Sequence, residues 1–307
     1  MDAKTWDFTA LTDIWTGDID GKAGRLITTG LLGSIRWWFE VVVRGLGGYA
    51  CDPTRHGCDD RNHCVACELF GCTGWARKFR FDVLDENDRP RTKQIKKDDK
   101  FRLQFTPLRP IRDEDWALLH LTLRLIANYG AIGGKTVYKP SDERNRQGAA
   151  HHRDYGLVSI EHPAAVQSAG IERLRTYTVD QRWRPVEHGS FAWASLKNFW
   201  CVNGRYLARQ NANASTFNRV IGRPEPKNRS GQGESWLAGR RAERGQQPES
   251  KKVFSFRQPP RTFGFADDQW PLDTIRTKLR SSWCALEDDE VTDGDVILET
   301  LLGGAAS

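Results

Sequence analysis

The chain has 307 residues, room for two domains or one large one. It is 38% hydrophobic and 28% charged with a formal net charge of +6, which excludes collagen-like and fully disordered classes. No stretch approaches the roughly 18 uncharged apolar residues of a membrane span. Residues 1–10 carry Asp2, Lys4 and Asp7 in place of an apolar segment, so no secretory signal is expected. The expected setting is the cytoplasm, without membrane, where thiols stay reduced.

Trp6, Phe8 and Ala10 alternate with polar residues and read as a first strand. A turn-rich loop follows at 16–22. Thr29 is the candidate cap of a helix through Leu31, Leu32, Ile35, Trp38, Phe39, Val42 and Val43, and Gly45, Gly47 and Gly48 end it. Beyond a cysteine-rich loop, Phe79, Phe81 and Val83 alternate with charged residues, as do Phe101, Leu103 and Phe105 with Arg102 and Gln104. These are two strands joined by a solvated connection at 85–100. Asp113 opens a helix through Trp116, Leu119, Leu123, Ile126 and Ala127, stopped by the glycines of 130–134. Residues 155–160 read as a last strand. The order β-α-β-β-α-β is the ferredoxin-like arrangement shared by RNA-recognition folds, and it predicts a domain over 1–165.

The remainder is less regular. Residues 191–202 read as a helix, 208–250 as a long mobile loop, 252–256 and 262–265 as strands, and 272–286 as a helix. A second, degenerate ferredoxin-like domain over 166–307 fits, without a convincing internal repeat. The predicted class is therefore α+β, with two ferredoxin-like domains and a loop insertion at 48–68 in the first.

Five of the seven cysteines lie between Cys51 and Cys72. In a reducing compartment such a cluster points to a metal. Cys64-Val65-Ala66-Cys67 puts two thiolates on one zinc ion at about 2.3 Å each. Cys51 and Cys58 are the natural second pair, with His56 and His63 as alternatives. The loop has no core of its own, so metal would supply its folding energy. Four thiolates leave no open position, which points to structural zinc. Cys72 sits among apolar residues and reads as a buried thiol.

Charge is unevenly distributed. Residues 205–261 hold thirteen Lys and Arg against four acids, Lys251 and Lys252 among them. Residues 267–307 hold ten acids and three bases, an acidic tail. A basic segment of this kind suits a polyanion. The glycine-rich run at 130–134, followed by Lys135 and Lys139, lacks the spacing of a phosphate-binding P-loop but suits a polynucleotide backbone. Arg36 reads as a phosphate clamp near the start of the first helix, or as a salt bridge to Glu40 four residues on. Lys22 and Arg25 offer further phosphate contacts. Trp75, near Arg77, stacks on a base or packs under the zinc loop. His151 and His152 beside Asp154 offer an acid/base pair with no visible nucleophile. No catalytic constellation emerges. Asp18 and Asp20 are the best enzymatic candidates.

Trp15-Thr16-Gly17-Asp18 together with Gly30-Leu31-Leu32-Gly33-Ser34-Ile35-Arg36-Trp37-Trp38-Phe39-Glu40 resembles the RAMP superfamily of CRISPR proteins. Arg44-Gly45-Leu46-Gly47-Gly48 and the run from Cys64 to Arg77 are similar to one branch of it, the first RAMP subunit of the type III-B Cmr effector complex. The resemblance is dense over 6–81, fair to about 140 and weak beyond. It implies two ferredoxin-like domains and a place near the end of a helical ribonucleoprotein filament, beside other RAMP subunits. There the subunit would hold the 3′ part of the guide (CRISPR) RNA and single-stranded target RNA, without cleaving either. Ser34 and Arg36 match the family's first-helix motif, and Lys135 follows its glycine-rich loop. Two alternatives remain: an endoribonuclease that processes CRISPR RNA, and a zinc-stabilised subunit that binds mainly protein.

Overall fold

The computed structural model describes residues 2–17, 24–51, 57–134, 140–186, 191–223, 235–239 and 248–303. The chain forms two compact units. One comprises Met1–Lys135, Tyr155–Lys197 and Gly294–Ser307, and the other Thr136–Asp154 and Asn198–Asp293. The units are interleaved along the chain, because packing groups residues 166–197 and the last helix with the first sheet.

The first unit is built on β1 (Lys4–Ala10), β2 (Phe79–Leu84), β3 (Lys100–Pro107) and β4 (Val158–His162), in the sheet order β2-β3-β1-β4. Every pairing is antiparallel. This is the ferredoxin-like order, with the expected β-α-β-β-α-β sequence of elements. Alternation places Trp6, Phe8 and Ala10 on the buried face, and the register sets Trp6 opposite Leu103 and Phe8 opposite Phe101. The long helices are α1 (Thr28–Gly45) and α3 (Asp113–Asn128), with the short α2 (Val65–Phe70) between α1 and β2. The apolar residues of α1 recur at helical spacing and bury Leu31, Ile35, Phe39 and Val42. Two further helices, α4 (Ile171–Thr178) and, at the end of the chain, α8 (Gly294–Gly303), belong to this unit. The Arg124 guanidinium of α3 donates to the Leu301 carbonyl of α8.

The start of α1 differs from expectation. The helix begins at Thr28, and its cap position is Ile27, not Thr29. The Ile27 N–H donates to Thr16 Oγ1 at 2.8 Å, so a loop residue distant in sequence supplies the capping oxygen. Arg36 consequently lies two turns inside the helix, away from its positive end.

The second unit repeats the sheet order. Its strands are β5 (Phe199–Asn203), β6 (Val253–Arg257), β7 (Pro260–Phe265) and β8 (Thr292–Asp293), arranged β6-β7-β5-β8 and all antiparallel. The helix expected over 191–202 is corrected to β5. Phe199, Trp200, Cys201 and Val202 are all buried, so the strand lacks the alternation that distinguishes strand from helix. The loop expected over 208–250 contains α5 (Thr216–Val220) and α6 (Ser235–Ala238). Phe217, Val220 and Leu237 from these helices enter the core, but such short helices leave no periodic signal in a polar stretch. The helix expected over 272–286 is α7 (Leu272–Arg280), which ends six residues early.

One buried carboxyl ties α3 to α4. Tyr177 donates its hydroxyl to Asp115 Oδ1 at 2.6 Å, and Asp115 is fully buried. Burial, opposed by Tyr177 and by nearby cations, pushes its pKa from 3.8 up to about 6. The folded chain holds a proton there that the unfolded chain has lost. Stability should therefore fall as pH rises from about 4 to about 6. The variant Asp115→Asn, which stays neutral throughout, is expected to flatten that part of the profile in urea denaturation run from pH 4 to pH 7.

Candidate metal centre

The four cysteines named from spacing converge. Cys51, Cys58, Cys64 and Cys67 are buried, and their sulfurs all lie within 4.8 Å of one another. Cys51 Sγ is 3.4 Å from Cys67 Sγ. A tetrahedral ion with arms of about 2.3 Å has sulfur–sulfur edges of about 3.8 Å, so the four atoms approximate that shape.

Three local features assemble the set. Gly47 takes a φ of +85°, and a Cβ on Gly48 would lie 2.3 Å from Thr178 Cβ. The chain therefore turns sharply out of α1 and passes close to α4 before reaching Cys51. Cys64 occupies the cap position of α2 and Cys67 lies in its first turn, so the C-x-x-C spacing aims both sulfurs to one side. Gly57 lies against the Arg184 guanidinium, beside Cys58.

Cations surround the sulfurs. Arg36 Nη2 donates to Cys67 Sγ at 3.3 Å and to Cys51 Sγ at 3.9 Å, and Arg184 Nη1 donates to Cys58 Sγ at 3.7 Å. The Cys51 N–H donates to Cys64 Sγ at 3.3 Å. The remaining donors of Arg36 go to Glu40 Oε1 at 2.9 Å and the Gly71 carbonyl at 2.8 Å. Glu40 is buried between Arg36 and Arg44, and Arg44 donates to the carbonyls of Cys51 and Ala194. Burial opposes the charge of Arg36, but Glu40 and the sulfurs of Cys67 and Cys51 outweigh it and raise its pKa.

The sulfurs are not equivalent. Their shared hydrogen bonds, first with Cys51, hold Cys58 low and push Cys67 up. Four thiolates with one divalent cation carry two negative charges, which Arg36 and Arg184 are placed to offset. The donor set suits zinc, and among the described residues no carboxylate or imidazole belongs to it. His63, an alternative ligand in the sequence, instead meets Glu68 at 2.8 Å and stacks on Trp75. Glu68 also accepts from Lys78, and from Arg112 at 3.4 Å. Burial opposes its charge, but Lys78 and His63 outweigh it and hold Glu68 below the usual carboxylate range. Cys72 is half-buried outside the set and donates to the Asp59 carbonyl at 3.4 Å.

Other expected site residues are dispersed. Ser34 Oγ accepts the Gly133 N–H at 3.0 Å, and the Gly134 N–H donates to the Trp15 carbonyl at 2.8 Å. These bonds pin the glycine-rich loop to α1 and to the loop after β1. Arg25 is exposed and forms a bridge with Lys93. Arg77 is exposed. Trp75 is half-buried, with the Arg109 guanidinium 4.2 Å from its ring and its indole N–H on the Glu68 carbonyl. Lys251 lies 5.2 Å over the Phe217 ring. Lys252, expected at an RNA surface, is buried within the second unit and donates to the Ser250 carbonyl at 2.6 Å. Its burial pushes its pKa down to about 8. Asp154 accepts from the N–H groups of Arg257 and Gln258. Lys22, Lys135, Lys139, His56, Asp18 and Asp20 lie outside the described residues. Arg184 and Arg44 were not found from sequence. Arg184 stands far along the chain from the cysteines, and nothing local marks it.

Residues 7–138 match the family model of the RAMP superfamily. That stretch, under half of the chain, is similar to the RAMP superfamily. Most of the first sheet, α1, the cysteine centre and the glycine-rich loop fall within it. No curated protein is similar enough in sequence to match. Two solved structures are similar to the chain. Cmr1 from Pyrococcus furiosus, in apo form, shares 12% identity over 96% of this chain and 99% of that one, with a TM-score of 0.45. The Csm3-Csm4 subcomplex of a type III-A CRISPR-Cas interference complex shares 14% over 57% and 93%, with a TM-score of 0.27. At such values neither structure assigns roles to residues of this chain. Among the described residues no helix is long and apolar enough to cross a membrane.

The four-sulfur set generates a test. Cys64→Ser is expected to lose bound metal, measured by elemental analysis of the purified chain, and to melt at a clearly lower temperature. Cys72→Ser is expected to retain both metal and melting temperature. Loss of metal from both variants would place Cys72 among the ligands, and retention in both would remove Cys64 from them.

Proposed function

We propose that the chain is a non-catalytic RNA-binding subunit of a type III-B CRISPR (Cmr) effector complex. In this reading it holds guide RNA, target RNA or both near the guide 3′ end. The observation that carries the reading is the anchored glycine-rich loop of the RAMP-like stretch, fixed by Ser34 and Trp15. The loop leads in sequence to Lys135 and Lys139. The type III-B branch draws on the first-helix motif and the C-x-x-C segment quoted above.

The chemistry required of such a subunit is modest. Base pairing supplies sequence recognition, so the protein needs cations and N–H donors for the backbone, not base-edge contacts. Arg25 and Lys93, exposed side by side, meet that need. Arg36 does not serve it in this reading, because its donors are committed to sulfur, Glu40 and Gly71. The metal is structural zinc held by Cys51, Cys58, Cys64 and Cys67. It joins the end of α1 to α2 and leaves no position for a reacting water. The partners are neighbouring RAMP subunits in the cytoplasm.

The test is a titration of labelled single-stranded RNA across salt concentrations, with products examined on a gel. Each phosphate contact contributes about 0.7 to the slope of log affinity against log salt on a single strand. The double variant Arg25→Ala, Lys93→Ala is expected to lower that slope by about 1.4, with the RNA intact in magnesium. Shortened RNA would point to a nuclease. Salt-independent association with other subunits and no RNA binding would point to an assembly role.

A further inference from the structure

The sequence holds twelve tryptophans. Among the described residues Trp6, Trp38, Trp116, Trp183 and Trp200 are buried in the cores. Trp236 and Trp270, both in the second unit, are not. Trp236 lies on α6 and Trp270 two residues before α7. Each is half-buried, seated on the apolar core with part of its surface open. Their indole planes are parallel to within 5°, with ring centroids 6.5 Å apart. An ammonium group stands over each ring: Lys252 Nζ is 5.0 Å from the Trp236 centroid and Lys278 Nζ is 5.1 Å from that of Trp270. Trp236 lies within 205–261, the most basic part of the chain, whereas Trp270 stands near the start of the acidic stretch and its backbone N–H donates to Asp267 Oδ1 at 2.7 Å.

We propose that Trp236 and Trp270 form a stacking site for an unpaired base of single-stranded RNA, with Lys252 and Lys278 supplying positive charge beside it. Flat, parallel aromatic faces suit any base, since every base has a π-face, and the cations suit the phosphates attached to it. A peptide side chain gains less from two parallel indoles with a cation over each than a base with its attached phosphate does. The buried Lys252 acts through its field, while Lys278 is half-exposed and nearer to solvent. The site rests on the RNA-binding reading and deepens it. It adds a sequence-independent contact to bases in the second unit, beside the phosphate contacts proposed for the first.

The experiment uses the full chain and two labelled strands of equal length. One is single-stranded RNA carrying a 2-aminopurine, and the other is an abasic sugar-phosphate strand. Trp270→Leu keeps apolar volume, and Trp270→Phe restores a ring. Trp270→Leu is expected to weaken RNA binding about tenfold and to lose the 2-aminopurine quenching seen with the wild type. Trp270→Phe is expected to recover most of both. Affinity for the abasic strand and the salt slope should not change. If Trp270→Leu melts at a lower temperature than the wild type, Trp236→Leu is read in the same way. A folded variant that binds RNA like the wild type, or loses both strands equally, overturns the stacking site and leaves the RNA-binding reading standing. A wild-type chain that binds neither strand overturns both.

Discussion

Four sulfurs crowded into one buried volume set the local architecture of the first unit. Thiolates cannot be buried together without compensating charge. Here the compensation comes from two guanidinium groups, one two turns inside α1 and one from the segment after α4. Arg36 is held in turn by Glu40, and Glu40 by Arg44, so the shell around the sulfurs becomes part of the helix itself. The centre thus joins the end of α1, the loop of Cys58 and the start of α2. Arg184 extends it to a segment more than a hundred residues away in sequence. Second-shell groups of this kind orient ligands and tune their charge as much as the ligands do.

A second set of contacts also fixes α1. Thr16 caps the helix, Ser34 accepts from Gly133, and Trp38 donates its indole N–H to the Ala131 carbonyl at 2.8 Å. The helix therefore links two different tasks. Arg36, Glu40 and Arg44 form the shell of the sulfur centre, while Ser34 and Trp38 hold the glycine-rich loop. A rigid loop loses little further entropy when it binds a ligand.

The second unit reaches the same strand order with little of the same sequence. Its helices α5 and α6 are short, and its last strand spans two residues. What it keeps is the buried central strand, with Trp200 and Val202 in the core. Its aromatic surplus lies partly at the surface, where Trp236 and Trp270 face each other in parallel.

Much of this was legible in the sequence. Period-two alternation fixed β1, β2 and β3, and a 3.6-residue period fixed α1 and α3, because each of these elements has one buried and one wet face. The four cysteines were legible because thiol chemistry is specific and the spacing is local. Other features depended on contacts between distant residues. Only tertiary structure turned Arg36 from a phosphate clamp toward sulfur, buried Lys252 and made β5 a strand. Which partner a charged side chain meets depends on what the fold brings within about 4 Å. No local pattern carries that information. Arg184 beside Cys58 and Trp236 parallel to Trp270 are decided in the same way, by packing between segments far apart in the chain.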